Sequence, residues 1–234
     1  ILNHIYTNYK TDKKISVIKR GIDTDYFSVK NVSDAEEQKL RNYLDVPHDK
    51  FLLLLPGRLT YWKGQKLFIE AINLLKSQNK FNDCFALIVG SDQGRKKYKN
   101  ELIDLVSKYN LNNFVKIAHS INKIPVAYSI SNLVISSSIE PEAFGRVSVE
   151  AQSMEKPILA SNIGGSTETI IPEKTGWLFK SESPSELANS IEMIKKMDKK
   201  ILDSVGRQGR KNVLDNYSKD TMCSKTLEIY ESLV

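Results

Sequence analysis

The chain is poor in the side chains that build metal centres and disulfide frameworks. Its 234 residues include only two cysteines and three histidines. Cys84 and Cys223 lie far apart without ligand spacing, and Cys84 sits in an apolar run, which reads as a reduced core residue in a cytosolic protein. His4, His48 and His119 share no ligand spacing, so no metal is expected, and no Ser-His-Asp or Cys-His arrangement is readable. No apolar segment approaches the ~20 residues that cross a bilayer. A signal-peptide pattern, internal repeats and low-complexity linkers are also missing from the sequence. The basic runs hold a single aromatic, Tyr98, too little interleaving to favour nucleic-acid binding.

What is there suits a globular domain. Hydrophobic residues make up 41% and charged residues 26%, so a core can be buried and disorder is not expected. The length fits one long domain or two small ones. Net charge is +6, with basic residues crowded in GRKKYK (Gly94 to Lys99) and KKMDKKILDSVGRQGRK (Lys195 to Lys211). One reading is solvated helix faces; the other is attraction to phosphate-rich ligands or an anionic membrane surface. The chain opens at Ile1 with ILNHIYTNYK, which has no clear beginning, so a piece of a longer chain is expected.

Strand and helix patterns alternate. KISVIKR (Lys14 to Arg20) reads as a short strand, and FLLLLPG (Phe51 to Gly57) as a strand buried on both faces. Lys63 to Asn79 has helical spacing, with Leu67, Ala71, Leu74 and Leu75 on one face. Strand Cys84 to Gly90 precedes a helix from about Lys96 to Tyr109. Strand Phe114 to Ala118, a short helix near Ile124 to Ser129 and strand Leu133 to Ser137 follow. Helix Arg146 to Met154 leads into strand Pro157 to Ala160; Gly164-Gly165 opens a short helix, and WLFK (Trp177 to Lys180) is a small strand. Beyond Ser183, a predicted N-cap with Pro184 at the first helical position, the pattern is all helix. The expected fold is α/β: a Rossmann-like, doubly wound parallel sheet with extra C-terminal helices. In such sheets ligands bind beyond the carboxyl ends of the strands.

Four loops there carry candidate chemistry. PGRLTYWKG places Arg58 and Lys63 after Gly57, two cations before a helix N-terminus, a set that suits a diphosphate. It is not a Walker A loop, because Lys63 precedes Gly64 instead of following it. VGSDQGRKK resembles a phosphate loop weakly. EPEAFGRVSVE holds Glu142 and Glu150 with Gly145 between them, opening a helix whose Arg146 and Val147 amides point outward for an anion. Carboxylates accept hydrogen bonds from vicinal diols without a metal, so one acid can grip a hexose and the other a ribose; alternatively, both are surface acids. In KPILASNIGGSTETI, the Gly164-Gly165 amides can bind anions or sugar hydroxyls, while Glu168 suits a first-turn helix acid. Asp23-Thr24-Asp25 has the spacing of a metal-binding pair, but in RGIDTDYF it reads as a turn with Tyr26 and Phe27 packed nearby.

Together, VIKRGIDTDYF, GRLTYWKG, the Glu142-x7-Glu150 motif and TETIIPEKTGWLF resemble the retaining nucleotide-sugar glycosyltransferases of family four, which have the two-domain GT-B fold. The resemblance implies that this is the C-terminal, donor-binding domain and that an acceptor domain precedes it. Residues 1–14 would be a linker remnant, 15–218 the nucleotide-sugar domain, and 219–234 a helix crossing to the missing half. The family's phosphate-contacting cations fall on Arg58 and Lys63, next to Gly57. Its donor-sugar acid falls on Glu142, its sugar- and phosphate-contacting amides on Ala143, Phe144, Gly145, Arg146 and Val147, and its ribose acid on Glu150. His119 stands where glycine is usual and Asn132 where aspartate is usual.

The implied reaction moves a hexosyl group from a UDP- or GDP-sugar to an acceptor hydroxyl with retention, and it needs no cofactor. The acceptor would be bound by the missing domain, in cytoplasmic polysaccharide or lipopolysaccharide assembly with peripheral contact to an anionic membrane. The fragment alone is expected to be inactive. Two alternatives remain open at this point: a stand-alone nucleotide-binding module without catalysis, and a sugar-nucleotide epimerase of the same fold.

Overall fold

A computed structural model describes residues 2–9 and 15–232. The apolar run Phe51–Pro56 (β1) and the run Cys84–Val89 (β2) are buried almost throughout, as strands covered on both faces must be. They join Val115–Ala118 (β3), Leu133–Ser136 (β4), Ile158–Ser161 (β5) and Trp177–Phe179 (β6) in one sheet of order β3-β2-β1-β4-β5-β6. Every pairing is parallel. The chain reverses its winding between β1 and β4, which leaves a crevice at the carboxyl ends of these two strands.

Side-chain alternation builds two apolar layers. Leu53 and Leu55 face one, with helices Gln65–Ser77 (α3), Lys96–Lys108 (α4) and Pro184–Lys195 (α8). Leu52 and Leu54 face the other, with Asp34–Leu44 (α2), Pro125–Ile130 (α5) and Arg146–Ser153 (α6). Leu67, Ala71 and Leu75 of α3 are buried as the spacing predicts, with Leu74 half-buried beside them. Ser183 caps α8 by accepting from the Glu186 amide at 3.2 Å, with Pro184 in the first turn. Cys84 is a free thiol in the core, and its burial pushes its pKa up to about 12.

Two stretches differ from the sequence reading. Of the expected strand from Lys14 to Arg20, Lys14 lies outside the described residues, and 15–20 form no strand. Instead the Ile22 amide donates to the Tyr217 carbonyl at 2.9 Å and the Lys219 amide to the Ile22 carbonyl at 2.8 Å. The segment at Ile22 is thereby tied to the junction of Lys199–Asn216 (α9) and Lys219–Glu231 (α10). Helix α2 was not expected, and neither was Leu2–Tyr9 (α1), within the stretch read as a linker. Helix α2 opens on a capping box in which Ser33 and Glu36 exchange side-chain and backbone bonds.

The Asp23-Thr24-Asp25 segment is a turn. Asp23 accepts the amides of Asp25 at 3.1 Å and Tyr26 at 2.9 Å, and its other oxygen pairs with Lys219 at 3.1 Å. The rings of Tyr26 and Phe27 meet edge-on at 5.0 Å. Asn132 accepts the Leu52 amide at 2.7 Å, tying the start of β4 to β1. Within the second basic run, Arg210 turns inward to the carbonyls of Phe27 at 3.0 Å and Ser153 at 2.5 Å, while Arg207 and Lys211 are exposed.

Helix α9 also presses against the end of α6. A Cβ on Gly206 would stand 2.0 Å from the Glu155 carbonyl oxygen. Gly206→Ala is therefore expected to cost about 1–3 kcal/mol through overpacking. Denaturant melts would register this, and an unchanged midpoint would contradict the close contact.

Candidate functional site

The crevice at the β1–β4 switch point opens into a cavity of about 940 Å³. Its first wall is the loop after β1. Gly57, Arg58 and Lys63 border the cavity, with Trp62 between the two cations in sequence and in space. The Lys63 ammonium lies 4.6 Å and the Arg58 guanidinium 5.8 Å from the Trp62 ring centre. Such contacts help to order both side chains against the indole. Gln65 donates to the Arg58 carbonyl at 2.8 Å, and Ser137, at the end of β4, donates to the Gly64 carbonyl at 3.0 Å. The loop is thus anchored to the strand across the crevice.

The opposite wall is the loop that enters α6. Glu142, Ala143, Phe144, Gly145, Arg146 and Val147 all border the cavity, as does Glu150 one turn into the helix. Gly145 takes a left-handed conformation, φ 70°, at the helix start. Among the described residues, no protein acceptor meets the amides from Ala143 to Val147; the next amide, that of Ser148, donates to the Gly145 carbonyl at 3.0 Å. Open donors at a helix N-terminus favour an anion.

The two glutamates are held differently. One oxygen of Glu142 pairs with Lys63 at 2.7 Å and the other accepts the Ser138 hydroxyl. One oxygen of Glu150 meets the Arg146 guanidinium at 2.6 Å and the other accepts the Tyr128 hydroxyl at 2.7 Å. Glu150 is only 7% exposed. Burial raises its pKa above the ordinary carboxylate value, while the Tyr128 hydroxyl and the Arg146 charge pull it back down. Tyr128 is fully buried, and its own pKa rises well above the ordinary phenol value, first through burial and then through the Glu150 charge.

Gly57, Arg58, Lys63, the residues from Glu142 to Val147 and Glu150 therefore all border this one cavity. Lys63, read as a phosphate-contacting cation, pairs with Glu142 across the crevice. The Gly164-Gly165 loop, read as able to bind anions or sugar hydroxyls through its amides, has one of them engaged within the protein. Its Gly165 amide donates to the Glu142 carbonyl at 2.6 Å, so it is not open to an anion. The two glycines support the Glu142–Gly145 loop backbone to backbone, where a Cβ on Gly165 would lie 2.3 Å from the Phe144 carbonyl carbon. In the VGSDQGRKK loop, Gly90 and Ser91 border the cavity, while Asp92 accepts the Gly94 amide at 2.9 Å in a turn outside it. His119 is exposed and bonded to Ser120 at 3.0 Å.

Sequence reasoning missed several lining residues. Arg20, Ser120, Ile121 and Ile124 border the cavity, and Tyr128 stands behind Glu150. Arg20 sits inside one of the motifs already quoted. Tyr128 gave no signal, since an aromatic in an apolar helix reads as core. Among the described residues, no group of three His, Cys, Asp or Glu side chains is arranged to hold a metal ion.

The profile of the family described as glycosyl transferases group 1 matches residues 36–212. A glycosyltransferase from Rickettsia africae superposes with a TM-score of 0.93 at 35% identity, covering 99% of this chain and 60% of the other. Anabaena HepE, solved in complex with UDP and glucose, superposes with a TM-score of 0.83 at 28% identity, covering 93% of this chain and 57% of the other. A D-inositol 3-phosphate glycosyltransferase of an Arthrobacter species is 28% identical over 193 residues, which are 81% of this chain and 44% of that protein. The chain spans about half the length of the curated relatives it matches. The sheet and its covering helices are the Rossmann-like α/β arrangement of GT-B glycosyltransferases.

The buried acid has a measurable consequence. With its pKa raised in the folded state, Glu150 disfavours folding at neutral pH, and that burden vanishes as pH falls below the unfolded value near 4.5. Glu150→Gln is expected to melt higher than the native chain at pH 7, by about 2–4 °C for each kcal/mol relieved. The two should converge at pH 4. Thermal melts at both values check this, and a lower melting point for the variant at pH 7 would contradict it.

Proposed function

We propose, for a chain that belongs to the glycosyl transferases group 1 family, that it is the donor-binding half of a retaining glycosyltransferase of family four. It would take a hexosyl group from a UDP- or GDP-sugar and deliver it to an acceptor hydroxyl with the anomeric configuration kept. The observation that carries the reading is the shared cavity: Arg58 and Lys63 on one wall, open amides on the other, and Glu142 and Glu150 both on its lining. The UDP and glucose in the complex with HepE support a nucleotide-sugar donor.

In this reading the diphosphate rests on the amides of Gly145 to Val147 and draws Lys63 from Glu142. Glu142 then accepts the sugar hydroxyls, and Glu150 the ribose diol. As the glycosidic bond lengthens, positive charge gathers at the anomeric carbon and negative charge on the leaving phosphate. Arg58, Lys63 and the Val147 amide stabilise that phosphate, at about 3 kcal/mol for each preorganised donor. The departing phosphate oxygen accepts the proton of the incoming hydroxyl on the same face, so retention needs no histidine base in this half.

The other half would bind the acceptor and receive the C-terminal segment 219–234, with residues 1–14 as the linker between the domains. On its exposed side α10 carries Leu227 and Tyr230, 59% and 63% exposed, and among its described residues none is buried. Polysaccharide or lipopolysaccharide assembly at the inner face of a cell membrane is the proposed setting, with the exposed lysines of the two basic runs facing anionic lipid. No described helix is long and apolar enough to cross a membrane.

Two measurements test the proposal. Calorimetric titration with UDP, GDP and ADP is expected to reveal weak binding of at least one, reduced about tenfold or more in Glu150→Ala and Arg58→Ala, as expected for loss of a charge-assisted bond. No binding of any nucleotide would refute the reading. Donor hydrolysis and transfer assays on this chain alone are expected to show no sugar transfer, and turnover without the other half would refute the division of labour.

A further inference from the structure

Tyr128 is the largest fully buried side chain of the domain, yet it carries a hydroxyl. It stands on α5, its ring edge-on to Phe27 at 6.1 Å, in the apolar layer that also packs α6. A phenol has one proton to donate, and this one goes to Glu150 at 2.7 Å. The partner on the second Glu150 oxygen is of another kind. The Arg146 side chain is 71% exposed and reaches Glu150 from the cavity side of the same helix. One oxygen is therefore bonded to a group fixed by packing, and the other to a group free to swing into solvent.

We propose that Tyr128 is the positioning residue of the site: its buried hydroxyl fixes the plane of the Glu150 carboxylate so that the oxygen now meeting Arg146 is presented to the vicinal diol of a nucleotide ribose. This rests on the reading of Glu150 as the ribose acceptor and assigns the group that orients it. Without the hydroxyl, the glutamate can turn about its last torsion, which is broad and intrinsically soft. Its Arg146 partner cannot prevent this, because an exposed arginine follows the carboxylate. The preorganised acceptor is then lost and the ligand bears the cost of ordering it.

Several charged and titratable groups face this carboxylate: Tyr128 from α5, Arg146 from its own helix and Lys63 from the loop after β1. Glu142 acts on Tyr128 from the loop before α6. Of the three that act on Glu150, Tyr128 and Arg146 hydrogen-bond it, and both lower its pKa. Tyr128→Phe removes one such bond and keeps the ring, so the pH below which Glu150 stops acting as an ionised acceptor moves up.

The test is the ratio of affinities for UDP and 2′-deoxy-UDP, measured by calorimetry with inorganic pyrophosphate as the ribose-free control. The native chain is expected to prefer UDP by about tenfold. Tyr128→Phe is expected to lose most of that preference, to lose what remains at a higher pH than the native chain, and to bind pyrophosphate as before. A second variant, Arg146→Ala at an exposed position, is expected to weaken both nucleotides through the lost charge while keeping their ratio within about threefold. A Tyr128→Phe variant with the native ratio would overturn the proposal, as would collapse of the ratio in Arg146→Ala. No preference in the native chain would instead refute the ribose role of Glu150 and the positioning role with it.

Discussion

The site depends on one contact between two stretches of backbone. The loop carrying Glu142 and Gly145 lies directly on Gly164 and Gly165, joined by the 2.6 Å bond from the Gly165 amide to the Glu142 carbonyl. Side chains on those glycines would occupy the space of the loop itself, since a Cβ on Gly164 would lie 2.6 Å from the Glu142 amide nitrogen. Supported from below, the loop borders the crevice with its amides from Ala143 to Val147 free of protein acceptors. Donors so fixed before a ligand arrives need no reorganisation when charge develops in front of them. Helix α6 is held from behind as well, where the Gln152 amide group reaches the Thr169 carbonyl at 3.0 Å and Asn212 of α9 meets Gln152 at 2.9 Å.

The electrostatics follow from that scaffold. Two acids and two cations face one another as Lys63–Glu142 and Arg146–Glu150, so the cavity is internally neutralised where they meet. Arg58 and Arg20 also line it. In the proposed function, a diphosphate entering the cavity would exchange partners with Lys63, and each carboxylate released by its cation would become an acceptor for hydroxyls. The ion pairs leave none of these four charges without a partner at the cavity wall.

Much of the fold was legible because its central strands are continuous apolar runs and its helices repeat their apolar faces at 3.6-residue spacing. The capping box of α2 was also written in the sequence, as Ser33-Asp34-Ala35-Glu36, yet it went unread because the surrounding residues are mostly polar. The expected strand before Gly21 had the right alternation. Whether such a segment joins a sheet depends on a free edge, which no local pattern records. The residues that line the cavity walls after β1 and before α6 were visible as a constellation of motifs. What supports them was not, because it is non-local: Tyr128 meets Glu150 across 22 positions of sequence and Arg210 meets Phe27 across 183. Gly164 and Gly165 stood out as glycines, but a loop that binds and a loop that supports another loop look the same until the partner backbone is placed.

The most direct measurement is a crystal structure of this chain with a bound nucleoside diphosphate. The account predicts phosphate oxygens within hydrogen-bond distance of the amides from Gly145 to Val147, Arg58 and Lys63 directed at them, and the ribose diol on Glu150. A nucleotide seated elsewhere on the domain, or in this cavity with its phosphates away from those amides, would contradict it.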